Sequence, residues 1–194
     1  MKVSRLFVSL ACVAVSLTGL QATTVIPPTF DELVGRAELI FQGTVTDVRS
    51  EWTGEGKQRH IQSYVTLRVD DQIKGKPGAS YTLSMLGGTV GEQTMEVTDT
   101  PKFKVGDRDI LFVENNGTQF IPLVGIMHGR FRVQREEASG REIVATESGR
   151  FLSDVSQLGK DERAATAGKA LSTGEFKAAI NEKIRTGSTT AREQ

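Results

Sequence analysis

Hydrophobic positions change period twice along this chain. Behind Pro27-Pro28, the residues Phe30, Leu33, Val34 and Ala37 recur at helical spacing, and Thr29 with Glu32 three positions on has the reciprocal pattern of a capping box. A short helix over residues 30–38 is expected. From Phe41 the period drops to two: Phe41, Gly43 and Val45 alternate with Gln42, Thr44 and Thr46, and after the polar, glycine-containing turn 51–57 the alternation resumes in Val65, Leu67 and Val69. The spacing predicts two long strands joined as a hairpin.

Further strands follow at short intervals. Tyr81, Leu83 and Met85 alternate with Thr82 and Ser84 after the turn at 74–78, the run Gly87-Gly88-Thr89-Val90-Gly91 breaks that strand, and 93–97 reads as a short one. Residues 109–114 and 119–124 flank Asn115-Asn116-Gly117-Thr118, a tight-turn signal because Asn and Gly tolerate positive φ, while Pro122 marks the second arm as an edge or a bulge. Residues 129–134 and 142–146 form a last hairpin around Ser139-Gly140. Beyond about Ser153 the composition turns to Ala, Lys, Glu and Gln, Ser172 with Glu175 repeats the capping pattern, and Phe176, Ile180 and Ile184 fall four apart on one helical stripe. The predicted class is mainly β: a small antiparallel barrel of five or six strands, with Gly43 available for bending, a short N-terminal helix and a C-terminal helical appendage.

The first residues carry a different signal. Lys2 and Arg5 precede the uncharged, mostly apolar run 6–20, which is short for a bilayer span of ~20 residues, and Leu20-Gln21-Ala22 ends in a small residue before polar Thr23-Thr24. The pattern is that of an export signal over 1–22, with the barrel over 23–150, helical segment over 151–185 and a flexible tail over 186–194. The expected location is secreted or periplasmic, with no membrane span after cleavage.

Composition then excludes several functions. The chain of 194 residues has 24 Lys+Arg, 24 Asp+Glu, two His and one Cys. Removing the leader takes Lys2, Arg5 and Cys12 with it, leaving 22 basic against 24 acidic residues and no thiol. A thiol-free exported domain has no disulfide framework and no cysteine chemistry, and a slightly acidic one lacks the charge that drives nucleic-acid binding.

The runs PPTFDELVGRAELIFQGTVTDV, YVTLRVDDQIKGKPG and PKFKVGDRDILFVENNG, in that order, resemble a group of exported bacterial proteins of unknown function. Their pattern is an acidic-apolar opening into G-x-V, a strand ending in Lys-Gly, and a P-x-F-x-x-G-x-x-x-L-F segment. The chain is also distantly similar to the netrin-like domain of tissue inhibitors of metalloproteinases. That resemblance implies an OB-like (netrin-like) barrel and raises inhibition of a secreted protease. The inhibitors use an amino-terminal Cys on the target's zinc together with disulfides, and this chain has neither, so no inhibitory residue carries over.

Reactive groups are sparse. His60 and His128, with Asp70 or Asp71 as a carboxylate partner, are the one combination from which a metal-dependent or hydrolytic enzyme could be assembled, short of the three or four ligands a zinc site takes. Gly87, Gly88 and Gly91 lack the Lys-Ser/Thr and helix start of a phosphate loop and read as a flexible barrel rim. Arg130 and Arg132 share a strand face, with Arg135 and Arg141 near and Phe131 and Phe103 able to stack on bases, but Phe131 alternates inward with Val133 and export argues against nucleic acid. Asn116-Gly117-Thr118 matches a glycosylation sequon that the turn already explains. Trp52, in a polar turn, is either folded back on the barrel or a recognition anchor. The reading is a non-enzymatic exported module, without cofactor or metal, that binds a protein or cell-envelope component through Trp52, Gly87, Gly88 and Gly91, with Phe176, Ile180 and Ile184 packing on the barrel or meeting a partner. A metal-dependent or hydrolytic envelope enzyme and a structural envelope protein are the alternatives.

Overall fold

The computed structural model describes residues 27–137, 139–160 and 168–190. The expected export signal, Cys12 and the start at Thr23 lie outside them. Helix α1 (Phe30–Arg36) forms where its capping box was read: Thr29 Oγ1 accepts from the Glu32 amide at 3.3 Å and Glu32 returns a carboxylate to the Thr29 amide at 2.7 Å. At its other end Lys74 donates to the carbonyls of Val34 and Gly35 at 2.7 and 3.3 Å, groups a helix leaves unsatisfied.

The strands are β1 (Leu39–Thr53), β2 (His60–Lys74), β3 (Ser80–Leu86), β4 (Gly88–Val90), β5 (Gln93–Met95), β6 (Arg108–Val113), β7 (Arg130–Arg135) and β8 (Glu142–Thr146). Six form one antiparallel sheet in the order β3-β2-β1-β6-β7-β8, and β4-β5 make a separate hairpin. Strands β1, β2 and β3 run as a meander and β6 returns beside β1, which is Greek-key order. The β1–β2 register shifts at three places, between Ile40 and Phe41, Gln42 and Gly43, and Val45 and Asp47, so the long hairpin curls. At Gly43 the curl brings the Arg68 carbonyl to 2.9 Å from where a Cβ would stand, which only glycine permits. The ladder ends at β3 and β8, which do not pair with each other; the sheet is open where barrel closure was expected.

Local departures have local causes. Residues 119–124 do not form a strand: Leu123 bridges Val113, and the Glu114 and Val124 amides reach the Pro122 and Phe112 carbonyls at 3.2 and 3.0 Å, but Pro122 has no N–H to extend a ladder. Within the helical segment expected over 151–185, residues 151–160 are not α-helix. Phe151 bridges Ala145, Val155–Gln157 is a single 3-10 turn, and α2 spans Thr173–Thr190 behind the Ser172–Glu175 capping box. It also runs past Thr186, whose hydroxyl donates back to the Glu182 and Lys183 carbonyls, where a frayed tail was expected. No described helix is long and apolar enough to cross a membrane.

Strand β6 is buried on both faces, and the core is accordingly double. One face carries Ile40, Ile110, Phe112, Phe131 and Val144 and is covered by Leu33, Val34, Leu152, Phe176 and Ile180. The other carries Phe41, Val45, Leu67, Leu111 and Val113, closed by the curl of β2–β3 and by Phe103, Ile121 and Leu123. Phe176 packs on Phe131 and Phe112 with ring centroids 4.8 and 6.2 Å apart. Phe176 and Ile180 have no exposed surface and the partly buried Ile184 packs against the same core, so the stripe covers the sheet. Replacing Phe176 with Ala is expected to destabilise the protein by roughly 3–5 kcal/mol, read from urea unfolding. A loss under about 1 kcal/mol would show that α2 is not part of the core.

Candidate binding site

The largest concentration of charge is buried and self-contained. Asp109 stands at an inward position of β6, in phase with Leu111 and Val113, and Arg130 of β7 lies opposite Leu111. The guanidinium gives Nε to Asp109 at 3.0 Å, Nη2 to Asp109 at 3.0 Å and to Asp107 at 2.7 Å, and Nη1 to the Lys102 carbonyl at 2.8 Å. Glu147 faces Nη1 at 3.3 Å and also holds Arg132, while the Phe103 ring lies 3.9 Å below the guanidinium. Neither Arg130 nor Asp109 has exposed side chain. Burial pushes the Asp109 carboxyl up to about 6 against the pull of Arg130, and Asp107 and Glu147 add to the rise. Arg132, Arg141 and Arg108 are paired with Glu147, Glu136 and Glu142. Of the arginines that could have faced a nucleic acid, Arg130, Arg132 and Arg141 are therefore neutralised within the chain while Arg135 is exposed, and the Arg130 cluster anchors structure.

An open cleft lies elsewhere, at the end of the sheet where three turns meet. It measures about 410 Å³ and is lined by His60 and Gln62 of β2, Ser84 and Leu86 of β3, and residues 117–120 of the Asn-Gly turn. Phe120 is 73% exposed there, the most exposed of the large hydrophobic side chains among the described residues. The turn that carries it is tied to β3. The Leu86 amide donates to the Phe120 carbonyl at 2.8 Å, the Ser84 amide donates to Asn116 Oδ1 at 3.0 Å, and Asn116 Nδ2 donates to the Thr82 carbonyl at 2.8 Å and the Tyr81 hydroxyl at 3.1 Å. One asparagine side chain thus stands in for a neighbouring strand along β3, and Asn115 at φ 52° makes the turn that places it. The sequon asparagine is engaged through its amide, as a turn residue rather than as an exposed acceptor.

The residues singled out from the sequence divide around this end. Trp52 is in β1 rather than in a turn, opposite Ile61, half-buried, with the Arg59 guanidinium 4.4 Å over its ring. The glycine run is not a flexible rim: Gly88 opens the β4–β5 hairpin, Gly91 turns it, and the Gly87 amide donates to the Ile61 carbonyl at 2.8 Å. Gly88, at φ 136°, lies so close over the Ser50 and Ser63 hydroxyls that any Cβ would collide with both. His60 lines the Phe120 cleft while His128 lines a different one beside Glu147 and Arg150, and Asp70, ten residues along β2 from His60, is ~30 Å of strand away, bound to Thr44 and Arg68. Asp71 pairs with Lys177. The two histidines and the two aspartates do not assemble, and no group of three or more metal-ligating side chains occurs among the described residues. Phe120 and the Arg130 cluster were missed from sequence; the inward phase of Asp109 in an apolar strand was the available sign that a buried cation must exist.

No protein-family model matches the chain, nor does any curated protein or solved structure.

Removing Arg130 leaves Asp109 buried without its partner, so Arg130→Ala is expected to cost about 3–5 kcal/mol in urea unfolding. The raised Asp109 carboxyl also fixes a sign. The folded protein takes up this proton near pH 6, whereas the unfolded chain waits for the ordinary range near 3.8, so the group adds stability as pH falls from about 6 to 4 and loses it as pH rises through 6. The stability difference between the wild type and Asp109→Asn, which cancels the other carboxylates, is expected to grow in the wild type's favour by up to ~3 kcal/mol from pH 7 to pH 4. A flat difference would contradict the raised carboxyl.

Proposed function

We propose that the protein is an exported, non-enzymatic binding module that recognises a protein or cell-envelope component through the end of the sheet that carries Phe120. The observation that supports it most is an aromatic ring 73% exposed on a turn tied to β3 by four hydrogen bonds, one from the Phe120 carbonyl and three through the Asn116 side chain. An exposed ring on a rigid support loses little entropy on binding, which is what a recognition anchor requires. The β4–β5 hairpin and the Trp52–Arg59 stack flank the same end. The scarcity of assembled reactive groups favours binding over chemistry, and protease inhibition is the sub-case raised by the netrin-like resemblance. The Greek-key order and the bulged, curled β1–β2 pair support reading the sheet as an opened OB-like barrel.

Phe120→Ala is expected to abolish capture of the native partner in a crosslinking pull-down from the secreted or periplasmic fraction. Its melting temperature should stay within about 2 °C of wild type, because the ring buries little. Trp52→Ala should weaken capture less and lower the melting temperature. Unchanged capture by Phe120→Ala would overturn the assignment of this end.

A further inference from the structure

We infer that the Phe120 cleft is a saccharide site, taking a stretch of neutral glycan chain stacked on the Phe120 ring; the inference rests on the binding reading above and names its ligand. Three observations converge on that class. The first is charge: no Asp, Glu, Lys or Arg lines the cleft. An ionic ligand would give up water there without meeting a counter-charge, whereas a neutral polar one gives up only hydrogen bonds that the cleft can return.

The second is the balance of donors and acceptors left over by the lining. His60 Nδ1 lies 2.8 Å from the Gln58 carbonyl, which can only accept, so Nδ1 carries a proton and Nε2 is the ring nitrogen left for a ligand. Gln62 donates one Nε2 hydrogen to Ser84 Oγ at 2.7 Å, leaving its Oε1 to accept and its second Nε2 hydrogen and the Ser84 hydroxyl hydrogen to donate. Thr118 donates its hydroxyl to the Asn115 carbonyl at 3.1 Å, so its oxygen is left as an acceptor. Acceptors (Gln62 Oε1, Thr118 Oγ1) and donors (the second Gln62 Nε2 hydrogen, the Ser84 hydroxyl) thus stand together beside an aromatic face, which complements a ligand whose hydroxyls both donate and accept and whose ring C–H groups can lie on Phe120.

The third is the sheet edge. An extended peptide would dock by adding a strand to β3, but the Ser84 and Leu86 amides and the Thr82 carbonyl are already taken by Asn116 and by the Phe120 carbonyl. Recognition is left to side chains and to a ring face, which is how a sugar is held and not how a strand is added. An ammonium group over Phe120 would also meet acceptors, but without a carboxylate beside it.

The test is a titration of the purified full chain followed by amide chemical shifts, using chitotriose and maltotriose as neutral glycan probes and tetramethylammonium as the cationic one. An open cleft with one ring and a few hydrogen-bonding groups predicts a Kd of roughly 0.1–1 mM for a trisaccharide. Saturable shifts confined to His60, Gln62, Ser84 and Phe120, weakened about tenfold in Phe120→Ala and in Gln62→Leu with both variants folded, would support the inference. Absence of saturable shifts with either trisaccharide, shifts outside the cleft, or tighter binding of tetramethylammonium would each overturn it. If the saccharides fail while Phe120→Ala still abolishes the pull-down, the ligand class falls and the binding reading stands; if Phe120→Ala leaves the pull-down intact as well, both fall.

Discussion

The fold is organised by the double burial of β6. Residues Ile110, Leu111, Phe112 and Val113 have no exposed surface, and their side chains alternate between the two faces, so the strand demands a cover on each side. Antiparallel sheets commonly leave one face to water; this one cannot. On one side the cover comes from the two ends of the chain, α1 before the sheet and α2 after it, which meet around Phe30, Phe112, Phe131 and Phe176. On the other side it comes from the sheet itself, because the register shifts in β1 fold the β1–β3 meander over its own inner face. Closure into a barrel is unnecessary once loops carrying Phe103, Ile121 and Leu123 complete the second cover.

That second cover ends in charge. The five N–H groups of Arg130 are distributed over two carboxylates of the 107–109 segment, Glu147 and a backbone carbonyl, which is the condition under which a guanidinium can be enclosed. Lysine, with three donors on a point charge, could not serve the same set. The cluster joins the loop ahead of β6, the strand β7 and the turn after β8, and so holds shut the region that an open sheet would otherwise leave loose.

The open ends of the sheet are managed by different means. Along β8 the Val144 and Thr146 amides are taken by the Leu171 and Arg150 carbonyls, and along β3 the asparagine of the tight turn does the work of a strand. The same turn therefore closes an edge and presents Phe120. Rigid support and exposed anchor come from one six-residue segment, which explains why an aromatic ring can stand in solvent without loosening the turn that carries it.

Much of this was legible locally. Both capping boxes, the long β1–β2 hairpin, the β7–β8 hairpin and the inward direction of Phe131 depend on residues within a few positions of one another, and period two or i,i+3 spacing reports them directly. Other features depend on partners far away in sequence. Arg130 reads as a basic strand residue until Asp109 and Lys102, 21 and 28 residues away, enclose it. Trp52 reads as a loop residue until β1 is extended by its pairing with β2; Gly88 reads as flexible until it settles on Ser50 and Ser63; and the 119–124 arm reads as a strand until Pro122 limits it to a bridge. The sequence by itself determined most of the helical and extended segments and which of their faces are apolar, because those follow largely from backbone sterics and local hydrogen bonding. Only the tertiary structure decided which faces are covered, which charges are buried and which aromatic ring stays in water, because burial is a sum over neighbours that the chain brings together from positions far apart.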